Sequence, residues 1–146
     1  MKIKQGGFTL IELIVTMAVL AIIASFAAPS FGNMLNQQNL NKSSRELAAI
    51  LSQARAKAAL ERRQVTVRLN STALNTPNIL NWAPTGKAVL MMTNPEPIVF
   101  MPNGLIQGAV GDTSLRICDS ATNGRNAKTI SVSRMGTIQT PVDGAC

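Results

Sequence analysis

The chain opens with an apolar run that has no helical or strand period. From Phe8 to Ala28, 21 residues carry a single charge, Glu12. About 20 apolar residues is the length of a helix that crosses a bilayer. Beyond Pro29 a period sets in. Leu40, Ser44, Leu47, Leu51, Ala54 and Ala58 follow steps of four and three, which places them on one helical face. Lys42, Arg45, Gln53, Lys57 and Arg63 fall on the other faces. Residues Ser30 to Arg62 therefore predict an amphipathic helix whose apolar stripe meets the rest of the domain. Pro29 is expected to kink the helix or to release one backbone hydrogen bond.

After Arg63 the period changes from helical to alternating. Val65, Val67 and Leu69 alternate with Thr66 and Arg68, a half-buried strand. Residues Asn70 to Pro84 are rich in Asn, Thr, Ser and Pro and predict a loop, with Trp82 near its end. Strands are predicted at Ala88–Met92, Ile98–Met101, Leu115–Cys118 and Thr129–Ser133. Asn94-Pro95-Glu96-Pro97 and Pro102-Asn103-Gly104 are turns on either side of the second of these. Asn123-Gly124 is a candidate hairpin tip. No internal repeat is visible. One long helix followed by short strands is an α+β arrangement, a long N-terminal helix packed on a small antiparallel sheet domain. Four segments follow: 1–7, a leader; 8–28, the apolar helix; 29–63, its amphipathic continuation; and 64–146, a β-rich head.

The leader and Glu12 sharpen the reading of the apolar run. A secretory signal has a basic head, about 7–15 apolar residues and a small-residue cleavage site after them. Here Lys2 and Lys4 supply the head, the run is too long, and the small-residue site, Gly6-Gly7, precedes it. Cleavage there keeps the apolar segment, starts the mature chain at Phe8 and makes Glu12 its fifth residue. A charge at a bilayer centre costs roughly 2.5–3.5 kcal/mol, so a carboxylate in this run needs a function. A structural alternative is a Glu that reaches the membrane interface near a helix end.

Gly7-Phe8-Thr9-Leu10-Ile11-Glu12, with the basic leader and the apolar run, resembles the processing motif of type IV prepilins and type II secretion pseudopilins. The resemblance implies a pilin-like fold, cleavage between Gly7 and Phe8 by prepilin peptidase, and N-methylation of Phe8. It also implies residence in the inner membrane before assembly, with the head in the periplasm and later on the cell surface. Glu12 would form the assembly salt link, its carboxylate neutralised by the Phe8 amine of a neighbouring subunit, because an unpaired buried charge is costly. A helix from about Thr9 to Arg62 would be about 80 Å long, a rod that suits a filament with helices bundled at its axis. Further on, Trp82 with Gly86, Ile98 to Gly104, Leu115 to Cys118, and Ile130 to Ser133 with Gly136 are similar to the H-type pseudopilin and FimT/FimU minor pilin group. That resemblance implies a minor subunit that initiates pilus assembly or forms the tip complex, with other major and minor pilins as partners.

Composition adds a staple and removes most catalysis. The segment from Ser30 to Cys146 holds three aromatics, Phe31, Trp82 and Phe100, so its core is aliphatic and modest. Cys118 and Cys146 are the chain's two cysteines. Outside the cytoplasm disulfides persist, and a bridge between these two would add about 3–4 kcal/mol; two free thiols is the alternative. The chain has no histidine, the commonest general base and metal ligand, and no CxxC, HExxH or Walker pattern. Gly104 and Gly108 are wrongly spaced for a phosphate cradle, and Cys118 has no candidate base. No enzyme activity, metal site or cofactor is expected.

The formal charge of +7 falls to +5 when the leader takes Lys2 and Lys4 with it. That excess suits DNA as well as a solvated surface. Arg125, Lys128 and Arg134 are the candidate DNA contacts. In the FimT subgroup DNA contact is associated with a Gly-Arg-x-Arg motif; the matching stretch here is Gly136-Thr137-Ile138-Gln139, which lacks both arginines. A DNA-receptor role in natural transformation is therefore the weaker alternative. An H-type pseudopilin of a type II secretion system is another, with the same fold in a different machine.

Overall fold

The structure, a computed structural model, describes residues 9–92 and 94–146, without the side chains of residues 27–30. It contains one helix, α1 (Leu10–Glu61), and seven strands: β1 (Val65–Leu69), β2 (Ile79–Trp82), β3 (Val89–Leu90), β4 (Ile98–Phe100), β5 (Thr113–Cys118), β6 (Asn126–Val132) and β7 (Val142–Ala145). The chain divides into two units between Leu35 and Asn36, and α1 contributes to both. The helix runs through Pro29 as one element, and proline, which has no N–H, leaves one helical bond unmade there.

In the first unit the apolar residues from Leu10 to Phe26 are exposed all round the helix, as in a segment whose packing partners lie outside the chain. In the second unit the helix has a buried face. Leu40, Ser44, Leu47, Leu51, Ala54 and Ala58, the residues of the predicted stripe, are all at most 1% exposed. All but Ser44 pack in one core with Val65, Val67, Phe100, Leu115, Ile117, Ile130 and Val132 from the strands. The burial begins at Leu40 rather than Ser30; Phe31, Met34 and Leu35 are exposed. The helix ends where Arg62 adopts a left-handed conformation, φ 50°, which turns the chain into β1.

The strands form two sheets. One has the order β2-β1-β4, with β1 parallel to β2 and antiparallel to β4; the other has the order β3-β5-β6-β7 and is antiparallel throughout. Two strands depart from the sequence expectation. Ile79–Trp82, expected within a loop, is β2, with Leu80 and Trp82 buried. The Asn, Ser and Thr residues that suggested a loop hold the crossover that makes the parallel pair. Asn75 Oδ1 accepts from the Asn81 amide at 2.7 Å, Thr76 Oγ1 accepts from the Ile79 amide at 3.1 Å, and Asn81 Nδ2 donates to Leu74 O at 3.0 Å. The second departure is β7, unforeseen because its four residues are all exposed and carry no alternation.

A repeat that the sequence hides is plain in the backbone. Ile98–Gln107 and Ile130–Gln139 align residue for residue, sharing Ile98/Ile130, Gly104/Gly136, Ile106/Ile138 and Gln107/Gln139. Each forms the same hairpin. Gly104 donates to Met101 O at 2.8 Å and Gly136 to Ser133 O at 2.7 Å. Met101 donates to Leu105 O at 2.9 Å and Ser133 to Thr137 O at 3.0 Å. Phe100 bridges Ile106 as Val132 bridges Ile138. The two turns meet, the Ile106 amide donating to Arg134 O at 3.1 Å.

Candidate functional site

The N-terminal end of α1 is built by a short cap. The Glu12 amide donates to Thr9 Oγ1 at 3.3 Å, and the Leu13 amide to Thr9 O at 3.3 Å. Thr9 is thus the N-cap and Glu12 the third helical residue, the T-x-x-E spacing of a capping box. Glu12 also sits in the first turn, where a negative side chain complements the helix dipole. The sequence contained this signal in Thr9 and Glu12, overshadowed by the apolar run behind it. Glu12 is exposed, as are all its described neighbours on the helix as far as Phe26. Gly7 and Phe8 lie outside the described residues.

At the far end of the chain Cys118 and Cys146 are joined, their Cα atoms 5.9 Å apart and 28 positions apart in sequence. The bond ties the C-terminus to β5 across β6. Asp119, next to Cys118 and 8% exposed, shapes the β5–β6 connection. Its Oδ1 accepts from the Arg125 amide at 3.1 Å, and its Oδ2 accepts from Asn126 Nδ2 at 3.0 Å.

The three candidate DNA contacts are not gathered. Arg125 precedes β6 and Arg134 follows it, so they lie near opposite ends of a seven-residue strand, on the order of 25–30 Å apart at the usual strand rise. Lys128, between them, has a side chain only 18% exposed, and its Nζ lies 2.6 Å from Asp143 Oδ1 on β7. The Gly136–Gln139 stretch forms the turn and return strand of the second hairpin. Arg55, on α1, reaches across to that turn and donates from Nη2 to Met135 O at 3.2 Å.

Among the described residues no group of three or more His, Cys, Asp or Glu side chains is placed to hold a metal. An open hollow of about 420 Å³ beside the Gln107–Asp112 loop contains Glu96 and Asp112, without a histidine or cysteine beside them. What the described surface offers is an apolar helix that none of the other described residues covers and a stapled β head.

A capped, fully exposed apolar helix leading into such a head defines a pilin-class subunit, and comparison with known proteins agrees. Residues 2–28 match the prokaryotic N-terminal methylation motif, and residues 43–136 match the type II transport protein GspH family. The chain belongs to the GspH family. Its fold is that of a type IV minor pilin: it is similar to FimU of Pseudomonas aeruginosa in a P21 crystal, with 22% identity and a TM-score of 0.52 over 71% of this chain and 89% of that one. A P65 crystal of the same pilin gives 24% identity and a TM-score of 0.48, over 68% of this chain and 90% of that one. No curated protein matches the sequence. Family and motif imply assembly with other pilins and processing by prepilin peptidase.

Proposed function

We propose that this chain is a minor structural subunit of a type IV pilus, cut between Gly7 and Phe8, methylated at Phe8, and built into the filament at its tip, where it helps to start assembly. Before assembly residues 8–28 hold it in the inner membrane with the head in the periplasm. The observation that carries this reading is the apolar face of α1 from Leu10 to Phe26, exposed on every side and continuous with a GspH head. Buried apolar surface contributes about 25 cal/mol per Å², so a helix this apolar is stable only within lipid or against other helices. Bilayer and helix bundle are the two environments a pilin occupies in turn.

The family's description supports a second reading, an H-type pseudopilin of a type II secretion machine. DNA reception has less support, because Arg125 and Arg134 stand apart and Lys128 is engaged by Asp143. One deletion strain separates the three. Loss of most surface pili, restored by the intact gene, is the expected result. Normal piliation with failed protein secretion would move the chain to the secretion machine, and normal piliation with failed DNA uptake would make it a receptor.

A further inference from the structure

We infer that two polar residues of α1, Ser43 and Arg55, fix the register of the helix on the head. The apolar stripe repeats itself in part. Leu47 and Leu51 are alike and one turn apart, as are Ala54 and Ala58. A slip of one helical turn, about 5.4 Å, would bring Leu51 to the place of Leu47 and Ala58 to that of Ala54, but it would also drive Arg55 into the buried place of Leu51.

Ser43 and Arg55 have no equivalents one turn away. The Ser43 side chain is fully buried, and its Oγ accepts from the Thr85 amide at 2.9 Å. Twelve residues on, Arg55 is keyed into the junction of the twin hairpins. Gly104 and Gly136 are both buried there with left-handed backbones, φ 78° and 74°. A Cβ on Gly104 would lie 3.3 Å from Arg55 Nε, and one on Gly136 would lie 3.2 Å from the same atom. A Cβ on Gly136 would also collide with Gly104 O. The two glycines thus let two equivalent turns close on one guanidinium, which donates to Met135 O. At about 100° per residue Ser43 and Arg55 flank the stripe on opposite sides, roughly 120° apart and about 18 Å along the axis. Together they oppose both sliding and rolling. A single polar group sets register in the same way in coiled coils.

The consequence in a filament rests on the pilin reading: the head must sit at one height on a helix that is packed by its neighbours. The register itself does not depend on that reading and is tested on the isolated full chain in detergent micelles. Two-dimensional NMR of the wild type should give one set of amide signals from Leu40 to Ala58. The Ser43→Ala/Arg55→Met double variant should give more than one set, or broadened signals, confined to that stretch. Leu47→Ala, which removes packing and leaves both polar contacts, should remain a single sharp set at lower stability, and Arg55→Lys should sharpen the signals relative to Arg55→Met. If the double variant does not fold, Ser43→Ala and Arg55→Met alone should each broaden signals around the altered residue. One sharp, unshifted set in the double variant, sharp sets in both single variants, or the same doubling in Leu47→Ala would overturn the inference. None of these outcomes bears on whether the chain enters a pilus.

Discussion

Replacing Glu12 with Ala should leave the chain inserted in the membrane and its head folded, while its incorporation into pili falls by about a hundredfold or more. In the proposed filament the Glu12 carboxylate neutralises the Phe8 amine of a neighbour in an apolar bundle. Removing one partner of a buried ion pair strands the other, at a cost of about 3–5 kcal/mol. The head should not register the change, because Glu12 belongs to the other unit of the chain. The cap geometry supplies a competing role, since Glu12 is the third residue of a T-x-x-E start whose amide bonds to Thr9. Glu12→Gln separates the two. Glutamine serves in a capping box as glutamate does, but it carries no charge. A salt link predicts that Glu12→Gln fails like Glu12→Ala; a cap predicts that it works. Counting the subunit in sheared pili against total membrane protein gives the answer.

Cys146→Ser should be the most damaging single change in the head that leaves its core intact. Its partner Cys118 is 28 positions away, and closing a loop of that length restricts the unfolded chain by about 3–4 kcal/mol. In a head of this size that corresponds to a fall in melting temperature on the order of 10–15 °C. The loss should also be uneven. All four β7 residues are exposed, so once the bond is gone β7 is held by its ladder to β6 and by the Lys128–Asp143 pair. With the Asp143 carboxylate open to solvent, a pair of this kind is worth about 1 kcal/mol or less. Thermal melts should show the drop, and hydrogen exchange should show β7 opening before β5 and the buried turns of α1. A melting temperature within a few degrees of the wild type would mean that the bond adds little to the fold.

The helix was legible because its chemistry is periodic. The stripe from Leu40 to Ala58 could be read residue by residue, since each member is apolar or small and Lys42, Arg45, Gln53 and Lys57 mark the other faces. β1 was legible for the same reason, with Val65, Val67 and Leu69 buried in alternation. β2 was not, because a four-residue strand in a crossover is surrounded by the Asn, Ser and Thr that hydrogen-bond the crossover in place. β7 offered no pattern, since a strand exposed on both faces and held by a disulfide needs no apolar residue. The twin hairpins escaped because the repeat lies in the backbone. A glycine, two isoleucines and a glutamine suffice to reproduce the turn, and the remaining positions drift freely. At the candidate site the sequence pointed to Gly7, Phe8 and Glu12 through a motif that is local in the chain. Arg55 was hidden for the opposite reason, because its partners are 49 and 81 positions away, at Gly104 and Gly136.

In the proposed pathway the apolar helix stays on the working protein and begins at a processed Phe8. Mass spectrometry of the intact chain, purified from membranes and from sheared pili of cells with an active prepilin peptidase, tests it most directly. The expected result is one N-terminus in both fractions, an N-methylated Phe8 with Lys2 and Lys4 gone. A chain that retains Met1, or one trimmed beyond Ala28, would contradict it.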